Sequence, residues 1–127
     1  MRNAFEVTRE QAQTKDYEVT VFHVEGYLDA HTAPRFEEAL RKAVAEGISH
    51  ILVDCQRLDY ISSAGLGVLI ETQRAVRARG GEVKLAAMSA GIADIFDILG
   101  FSKLIPSYPS LSEALASVDG SVGGPAT

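Results

Sequence analysis

The chain has 127 residues, of which 46% are hydrophobic and 23% are charged, a balance typical of one globular domain and not of a disordered chain. With 12 basic and 17 acidic residues its net charge is −5, and no run of lysine and arginine offers a face for phosphates, which argues against a nucleic-acid partner. A single cysteine excludes an internal disulfide, no apolar run approaches the roughly 18 residues of a membrane span, and no signal peptide is recognisable, so we expect a cytoplasmic protein without membrane contact.

The apolar spacing predicts strands that alternate with helices along the chain. In order, the predicted elements are strands over residues 5–11 and 17–24, a helix over 33–46, a strand over 51–53, a helix over 63–79, a strand over 83–87, a helix over 92–99, a brief edge strand over 104–105 and a helix over 111–118. This order predicts an α/β fold with a mixed, mostly parallel sheet of four to five strands and helices packed against it. We expect residues 1–118 to form one domain and residues 119–127 a flexible tail.

The stretch over residues 51–70 predicts a buried strand, a short polar loop and a helix that begins at two serines. Ser62 and Ser63 supply hydroxyl groups at the predicted helix start, where serine is a preferred residue. Main-chain N–H groups at a helix N-terminus point outward and favour negative charge, so this is a good place to carry a phosphate. We therefore expect Ser63 to be exposed at the positive end of its helix.

Residues 58–69, with the sequence LDYISSAGLGVL, resemble the signature of STAS domains of the bacterial anti-sigma factor antagonist type. In that family the usual pattern is aromatic, apolar, Asp, Ser, Ser or Thr, Gly, Leu, Gly. The serine that follows the aspartate is phosphorylated by the anti-sigma factor, which is a serine kinase. Matched without a gap, Gly65, Leu66 and Gly67 correspond to the family's glycines and leucine, and Ser63 corresponds to the phosphoacceptor.

The chain departs from this pattern at Ser62, where the family usually has Asp, and at Ala64, where it often has Ser or Thr. Ser62 is therefore a second candidate for modification. Two other segments resemble the family in the right order. Residues 26–29 match a Gly-x-x-Asp loop before the first helix, and residues 95–101 resemble the closing helix and turn. The resemblance covers about residues 5–118 and implies the STAS fold.

The resemblance implies a regulatory protein without a cofactor, and not an enzyme. In its unphosphorylated form such an antagonist binds a serine-kinase anti-sigma factor and frees a sigma factor. Phosphorylation at Ser63 would switch this binding off, and a PP2C-type phosphatase would reverse it. The resemblance is also compatible with a homodimer. The expected partner-binding residues are Asp29, Asp59, Ser62, Ala64, Gly65, Leu66 and Gly67.

Two other interpretations stay open. The first is a STAS subunit of a transport or sensory complex that acts without phosphorylation, which the departure at Ser62 keeps in view. The second is a small α/β enzyme that uses Asp54, Asp59 and Ser63, although the sequence has no motif for a base or a cofactor loop. The three histidines are scattered and show no metal-ligand spacing, so we expect no metal site.

The role of three loop aspartates is also open at this point. We expect a parallel sheet to gather Asp29, Asp54 and Asp59 near Ser63. As the resemblance implies, Asp29 would shape the acceptor site. Alternatively, each aspartate only accepts hydrogen bonds from local N–H groups.

Overall fold

A computed structural model of the chain describes residues 5–123, which form five strands, four helices and one 3₁₀ turn. The strands are β1 (Phe5–Gln13), β2 (Glu18–Leu28), β3 (His50–Ile61), β4 (Glu82–Ala86) and β5 (Ser107–Tyr108). The helices are α1 (Ala33–Ala45), α2 (Ser63–Arg77), α3 (Ala90–Ile98) and α4 (Leu111–Gly123), and the 3₁₀ turn is Phe101–Lys103. None of these helices is long and apolar enough to span a membrane.

The strands form one sheet in the order β1-β2-β3-β4-β5. Strands β1 and β2 are an antiparallel hairpin, and each later strand pairs in parallel with the one before it. Parallel neighbours need crossover connections, and helices α1, α2 and α3 provide them. The predicted α/β fold with a mixed, mostly parallel sheet is confirmed, with five strands.

Different helices cover the two faces of the sheet. Helices α1, α2 and α3 pack on one face, where β2 contributes the buried side chains of Phe22, Val24 and Leu28. Helix α4 packs on the opposite face, over Val19 and Val21 of the same strand. This division follows from the alternation of side chains along a strand.

Strand β3 is much longer than the predicted strand over residues 51–53, and the prediction of a polar loop after it was wrong. Pairing with β2 continues to Ile61 across two irregularities in register. Asp54 and its polar neighbours belong to the strand, and the buried Cys55 and Leu58 alternate with them. Polar residues fit here because this part of the sheet has one partly exposed face. The predicted strand over residues 17–24 is likewise too short, because β2 continues to Leu28.

The predicted edge strand over residues 104–105 was also placed wrongly. The edge strand β5 lies at Ser107–Tyr108, between two prolines, while Ile105 is buried in the core behind the 3₁₀ turn. Proline lacks an N–H donor but keeps its carbonyl, and Pro106 O accepts a hydrogen bond from Leu85 N at 2.9 Å. Pro106 therefore lies directly before the edge strand and contributes a hydrogen bond to β4.

Helix α4 continues past the predicted domain boundary at residue 118, to Gly123. At residue 119, the Asp119 carboxylate accepts hydrogen bonds from Thr14 Oγ1 at 2.9 Å and from Lys15 N at 2.8 Å. This contact ties the helix to the β1–β2 hairpin and lowers the pKa of Asp119 through the hydrogen bonds from Thr14 and the hairpin backbone, against the opposing effect of desolvation. The last part of the predicted tail, residues 124–127, lies outside the described residues.

A histidine flanked by two carboxylates links the first three strands. His23 Nδ1 lies 2.8 Å from Asp54 Oδ2, and its Nε2 lies 2.7 Å from Glu10 Oε1. A neutral imidazole donates from only one nitrogen, so both contacts are hydrogen bonds only when the ring is protonated. The hydrogen bond to Glu10, aided by that to Asp54, raises the pKa of His23 against the opposing effect of burial.

We predict that this cluster makes the free energy of unfolding depend on pH. Because the folded-state pKa of His23 lies above the unfolded value near 6.5, its contribution is fully present below about pH 6.5 and is lost as pH rises through the folded-state pKa. The loss should stay below about 1 kcal/mol, since the His23 side chain, which belongs to both ion pairs, is 35% exposed to solvent. Burial lowers the pKa of His50, which makes stability rise with pH over part of this range, so the loss should be read as the difference between the wild type and His23→Gln in urea unfolding from pH 5.5 to 9.

An exposed histidine provides the matched control for this measurement. The variant His31→Gln changes a side chain that has no ion pair within the described residues, so it should keep the wild-type pH dependence. An unchanged pH profile in His23→Gln would contradict the assignment of a protonated His23.

Candidate functional site

The candidate site lies where β2 and β3 end side by side. Leu28 and Ile61 are register partners, and Ser62 N donates a hydrogen bond to Leu28 O at 2.9 Å. Asp29 and Ser62 directly follow the ends of β2 and β3, so the loop before α1 and the start of helix α2 are neighbours. Parallel strands bring their carboxyl ends to one edge of the sheet, and this edge is where the predicted residues meet.

The two serines at the start of α2 have different environments. Ser62 is the N-cap residue, partly buried, and its Oγ accepts a hydrogen bond from Gly65 N at 3.5 Å. Ser63 is the first residue of the 15-residue helix and is exposed. Among the described residues, the Ser63 hydroxyl has no hydrogen-bond partner. The second serine is therefore the accessible one, at the positive end of the helix dipole.

The cap also explains how the chain accommodates serine at position 62. Serine and aspartate are comparable N-cap residues, because both offer an oxygen to an N–H group of the first helical turn. Ser62 therefore fulfils locally the capping role that an aspartate would fulfil there.

Asp29 shapes the loop that leads into α1. Its Oδ1 accepts hydrogen bonds from His31 N at 2.9 Å and from Thr32 N at 3.1 Å. In return, Thr32 Oγ1 accepts from Asp29 N at 2.9 Å and donates to Tyr27 O at 2.8 Å. Thr32 is the N-cap residue of α1 by position but makes no side-chain capping bond to the helix. The Asp29 carboxylate therefore holds the loop beside Ser62 in one conformation.

The two glycines of α2 serve different purposes. A Cβ atom on Gly65 would lie 2.7 Å from Leu28 Cγ and 3.1 Å from Ile61 Cγ1, so this glycine lets the helix approach the strand ends closely. A Cβ atom on Gly67 would meet nothing within 4 Å. Gly67 is four residues after Ser63 and shares its face of the helix. From Ser63 to Gly67, a full helical turn, this face of α2 therefore carries only small residues and has open space over Gly67.

The other predicted residues are distributed around this edge. Ala64 is partly buried and Asp59 is exposed near the end of β3. Leu66 is only 3% exposed and packs in the core, so its side chain offers no surface to a partner. Asp54 is not gathered near Ser63 as expected. It lies seven residues before the end of β3, roughly 20 Å away along an extended strand, and binds His23.

The single cysteine of the chain is not available as a nucleophile. Cys55 is buried, and burial raises the pKa of its thiol to about 12, so the thiol stays protonated at neutral pH. In the part of the chain that the structure describes, no three His, Cys, Asp or Glu side chains are grouped to hold a metal ion. The sequence pattern groups Tyr60 with Leu58 and Ile61 as a core residue, and this prediction was wrong, because Tyr60 is exposed. Tyr27, predicted in the loop before α1, lies instead on β2 as the register partner of Tyr60.

Comparison with known proteins places this geometry in context. The family model described as STAS domain matches residues 11–114. An anti-sigma-B factor antagonist of Staphylococcus aureus is 33% identical over 93 residues, which cover 73% of this chain and 83% of that protein. The crystal structure of an anti-sigma factor antagonist from Mycobacterium paratuberculosis is similar with a TM-score of 0.77 and 25% identity, covering 90% of this chain and 95% of that one.

A third similarity is to a protein solved in a phosphorylated state. The Bacillus cell fate determinant SpoIIAA in its phosphorylated form has a TM-score of 0.65 and 22% identity, covering 91% of this chain and 99% of that one. At this identity the likeness concerns the fold.

Proposed function

This chain belongs to the STAS domain family, and from that premise we propose that it is an anti-sigma factor antagonist switched by phosphorylation of Ser63. The unphosphorylated chain binds a serine-kinase anti-sigma factor and frees the sigma factor that the kinase holds. The phosphorylated chain does not bind, and a PP2C-type phosphatase restores it by hydrolysis.

One observation carries this proposal. Ser63 is exposed at the first position of α2, without a hydrogen-bond partner among the described residues, and Gly67 leaves the next turn of the same face open. A kinase needs a hydroxyl that it can approach and orient, and this surface presents one. Ser62 is the weaker candidate because its hydroxyl caps the helix.

The proposed reaction is an ordinary phosphoryl transfer. A bond forms between Ser63 Oγ and the γ-phosphorus of ATP, the bond from that phosphorus to the β–γ bridging oxygen breaks, and ADP leaves. The hydroxyl proton goes to a base. Ser63 Oγ makes no hydrogen bond to a described residue that could accept this proton, so we expect the kinase to supply the base.

The switch is electrostatic. A phosphate adds about −1.5 to −2 charge at neutral pH to a surface made of small residues, with Asp29 and Asp59 at the same edge of the sheet. The helix N-terminus tolerates that charge, with a favourable contribution of up to about 1 kcal/mol, so the fold should be unaffected. A partner docked over Ser63 would instead have to desolvate the phosphate. A loss of about 3–4 kcal/mol there corresponds to a 100- to 1,000-fold weaker affinity.

Phosphate mapping tests the proposed site. The chain is incubated with ATP and the serine kinase encoded in its gene neighbourhood, and the modified residue is located by mass spectrometry. We expect one phosphate on Ser63 and none in Ser63→Ala, whereas Ser62→Ala should still be modified. The cap is worth about 1 kcal/mol, so Ser62→Ala should remain folded.

The same experiment distinguishes the proposed switch from the alternative interpretation. A STAS subunit of a transport or sensory complex that acts without phosphorylation would carry no phosphate after incubation with an active kinase. Phosphate on Ser62 alone would move the switch one residue towards the sheet and contradict the assignment to Ser63.

A further inference from the structure

Two tyrosines lie side by side near Ser63, on the face of the sheet opposite α2. Tyr27 and Tyr60 are register partners on β2 and β3, with ring centroids 5.9 Å apart and ring planes tilted by 35°. The residue after each, Leu28 or Ile61, is buried next to Gly65 of α2. Since neighbouring strand residues point to opposite faces, both rings project away from α2.

These two tyrosines are the exposed ones. Tyr27 is 43% exposed and Tyr60 is 46% exposed. The chain's other two tyrosines are partly buried and have partners of their own, because Tyr17 packs at a tilt against the His50 ring and Lys84 Nζ lies 5.6 Å from the Tyr108 ring centroid. Large, rigid aromatic side chains that stay exposed are typical anchors of protein interfaces.

An acidic cleft lies beside the tyrosines. It has a volume of about 400 Å³ and is lined by the carboxylates of Glu6, Glu25 and Asp59 and by a single cation, Arg57. The Arg57 side chain is 80% exposed and pairs only loosely with Glu25, at 3.6 Å. Three carboxylates against one guanidinium leave the cleft negative, so its charge is complementary to a cationic group.

We propose that this tyrosine surface, formed by Tyr27, Tyr60 and Asp59 with the adjoining cleft, binds an arginine-bearing segment of the anti-sigma factor. Arginine fits both halves of the surface, because its planar guanidinium stacks on an aromatic face and accommodates a carboxylate through two parallel N–H donors. The inference rests on the proposed function. It adds a second contact, on the opposite face of the sheet from α2, to the contact at Ser63.

The tyrosine surface adjoins the Ser63 site, which supports the same partner, the anti-sigma factor, at both. Tyr27 and Tyr60 are each two residues before Asp29 and Ser62, and the bond from Ser62 N to Leu28 O joins the two strand ends directly after the tyrosines. A partner that covers Ser63 at this edge therefore meets the tyrosine surface when it extends around the strand ends.

Affinity measurements with the purified kinase test this inference. Tyr27→Ala in the full chain should weaken kinase binding by about 10- to 30-fold, as expected for an interface anchor. Tyr27→Phe keeps the aromatic face and should stay within about threefold of the wild type. Asp59→Asn should weaken binding and flatten its dependence on salt, since it removes one charge of the complementary pair.

Ile98→Ala is the matched control, because Ile98 is an apolar side chain that is 81% exposed on α3, outside the tyrosine surface. It should leave the affinity unchanged. Wild-type affinity in Tyr27→Ala, together with lost binding in Ser63→Asp, would overturn this inference and leave the switch intact. A wild-type chain that does not bind the kinase at all would overturn the proposed function and this inference with it.

Discussion

Ser63→Asp should bind the cognate serine kinase at least about 100-fold more weakly than the wild type, because an interface charge without a partner costs several kcal/mol. Ser63→Ala should bind within about threefold of the wild type, since the hydroxyl has no hydrogen bond to lose within the described residues. Isothermal titration calorimetry with the three proteins measures the difference. Ser63→Asp should not lower the free energy of unfolding, because an acidic residue at a helix N-terminus is favourable.

A second helix provides the control for the added charge. Ala90 is the exposed first residue of α3, as Ser63 is of α2, so Ala90→Asp adds the same charge at the same helical position outside the proposed interface. It should leave kinase binding unchanged. Equal affinities of Ser63→Asp and Ser63→Ala for the kinase would contradict the proposed electrostatic switch.

The two glycines of α2 should respond in opposite ways to alanine. Gly65→Ala should lower the free energy of unfolding by about 1–2 kcal/mol, because overpacking against Leu28 and Ile61 outweighs the gain in helix propensity. Gly67→Ala should raise it by up to about 1 kcal/mol, since open space surrounds the new methyl group. Urea unfolding of both variants measures this contrast.

Gly67→Ala should at the same time weaken kinase binding by about 5- to 100-fold, because the methyl group enters the surface that the partner approaches. Gly91→Ala is the matched control. Its new methyl group also enters open space, but Gly91 lies on α3, away from the proposed interface. This variant should therefore be more stable than the wild type and bind the kinase equally well. A stabilised Gly67→Ala that binds like the wild type would show that the partner does not cover this turn.

Hydrophobic spacing was sufficient to predict the fold class, because each buried helix face and each core strand leaves a strong pattern. The stretch after Val53 was misjudged for a physical reason. Asp54 faces a partly exposed sheet surface and binds His23, so its polarity marks a half-open strand and not a loop. Where one face of a sheet is open, polar residues and strand structure coexist, and the sequence alone does not distinguish them.

The candidate site, like the fold, was predictable from the sequence only in part. The serine pair and the two glycines could be identified from the motif, since their chemistry is local. Which glycine faces the sheet depends on the packing of α2 against Leu28 and Ile61, which only the tertiary structure reveals. The pairing of Tyr27 with Tyr60 depends on the register of β2 and β3, and no local pattern encodes that register.

Release of the sigma factor is the most direct test of the central claim. A preformed complex of the sigma factor with its kinase is mixed with this chain, either unmodified or fully phosphorylated on Ser63, and the freed sigma factor is measured by size-exclusion chromatography. The unmodified chain should free the sigma factor at stoichiometric concentrations, and the phosphorylated chain should need at least about 100-fold more protein. Equal release by the two forms would contradict the account.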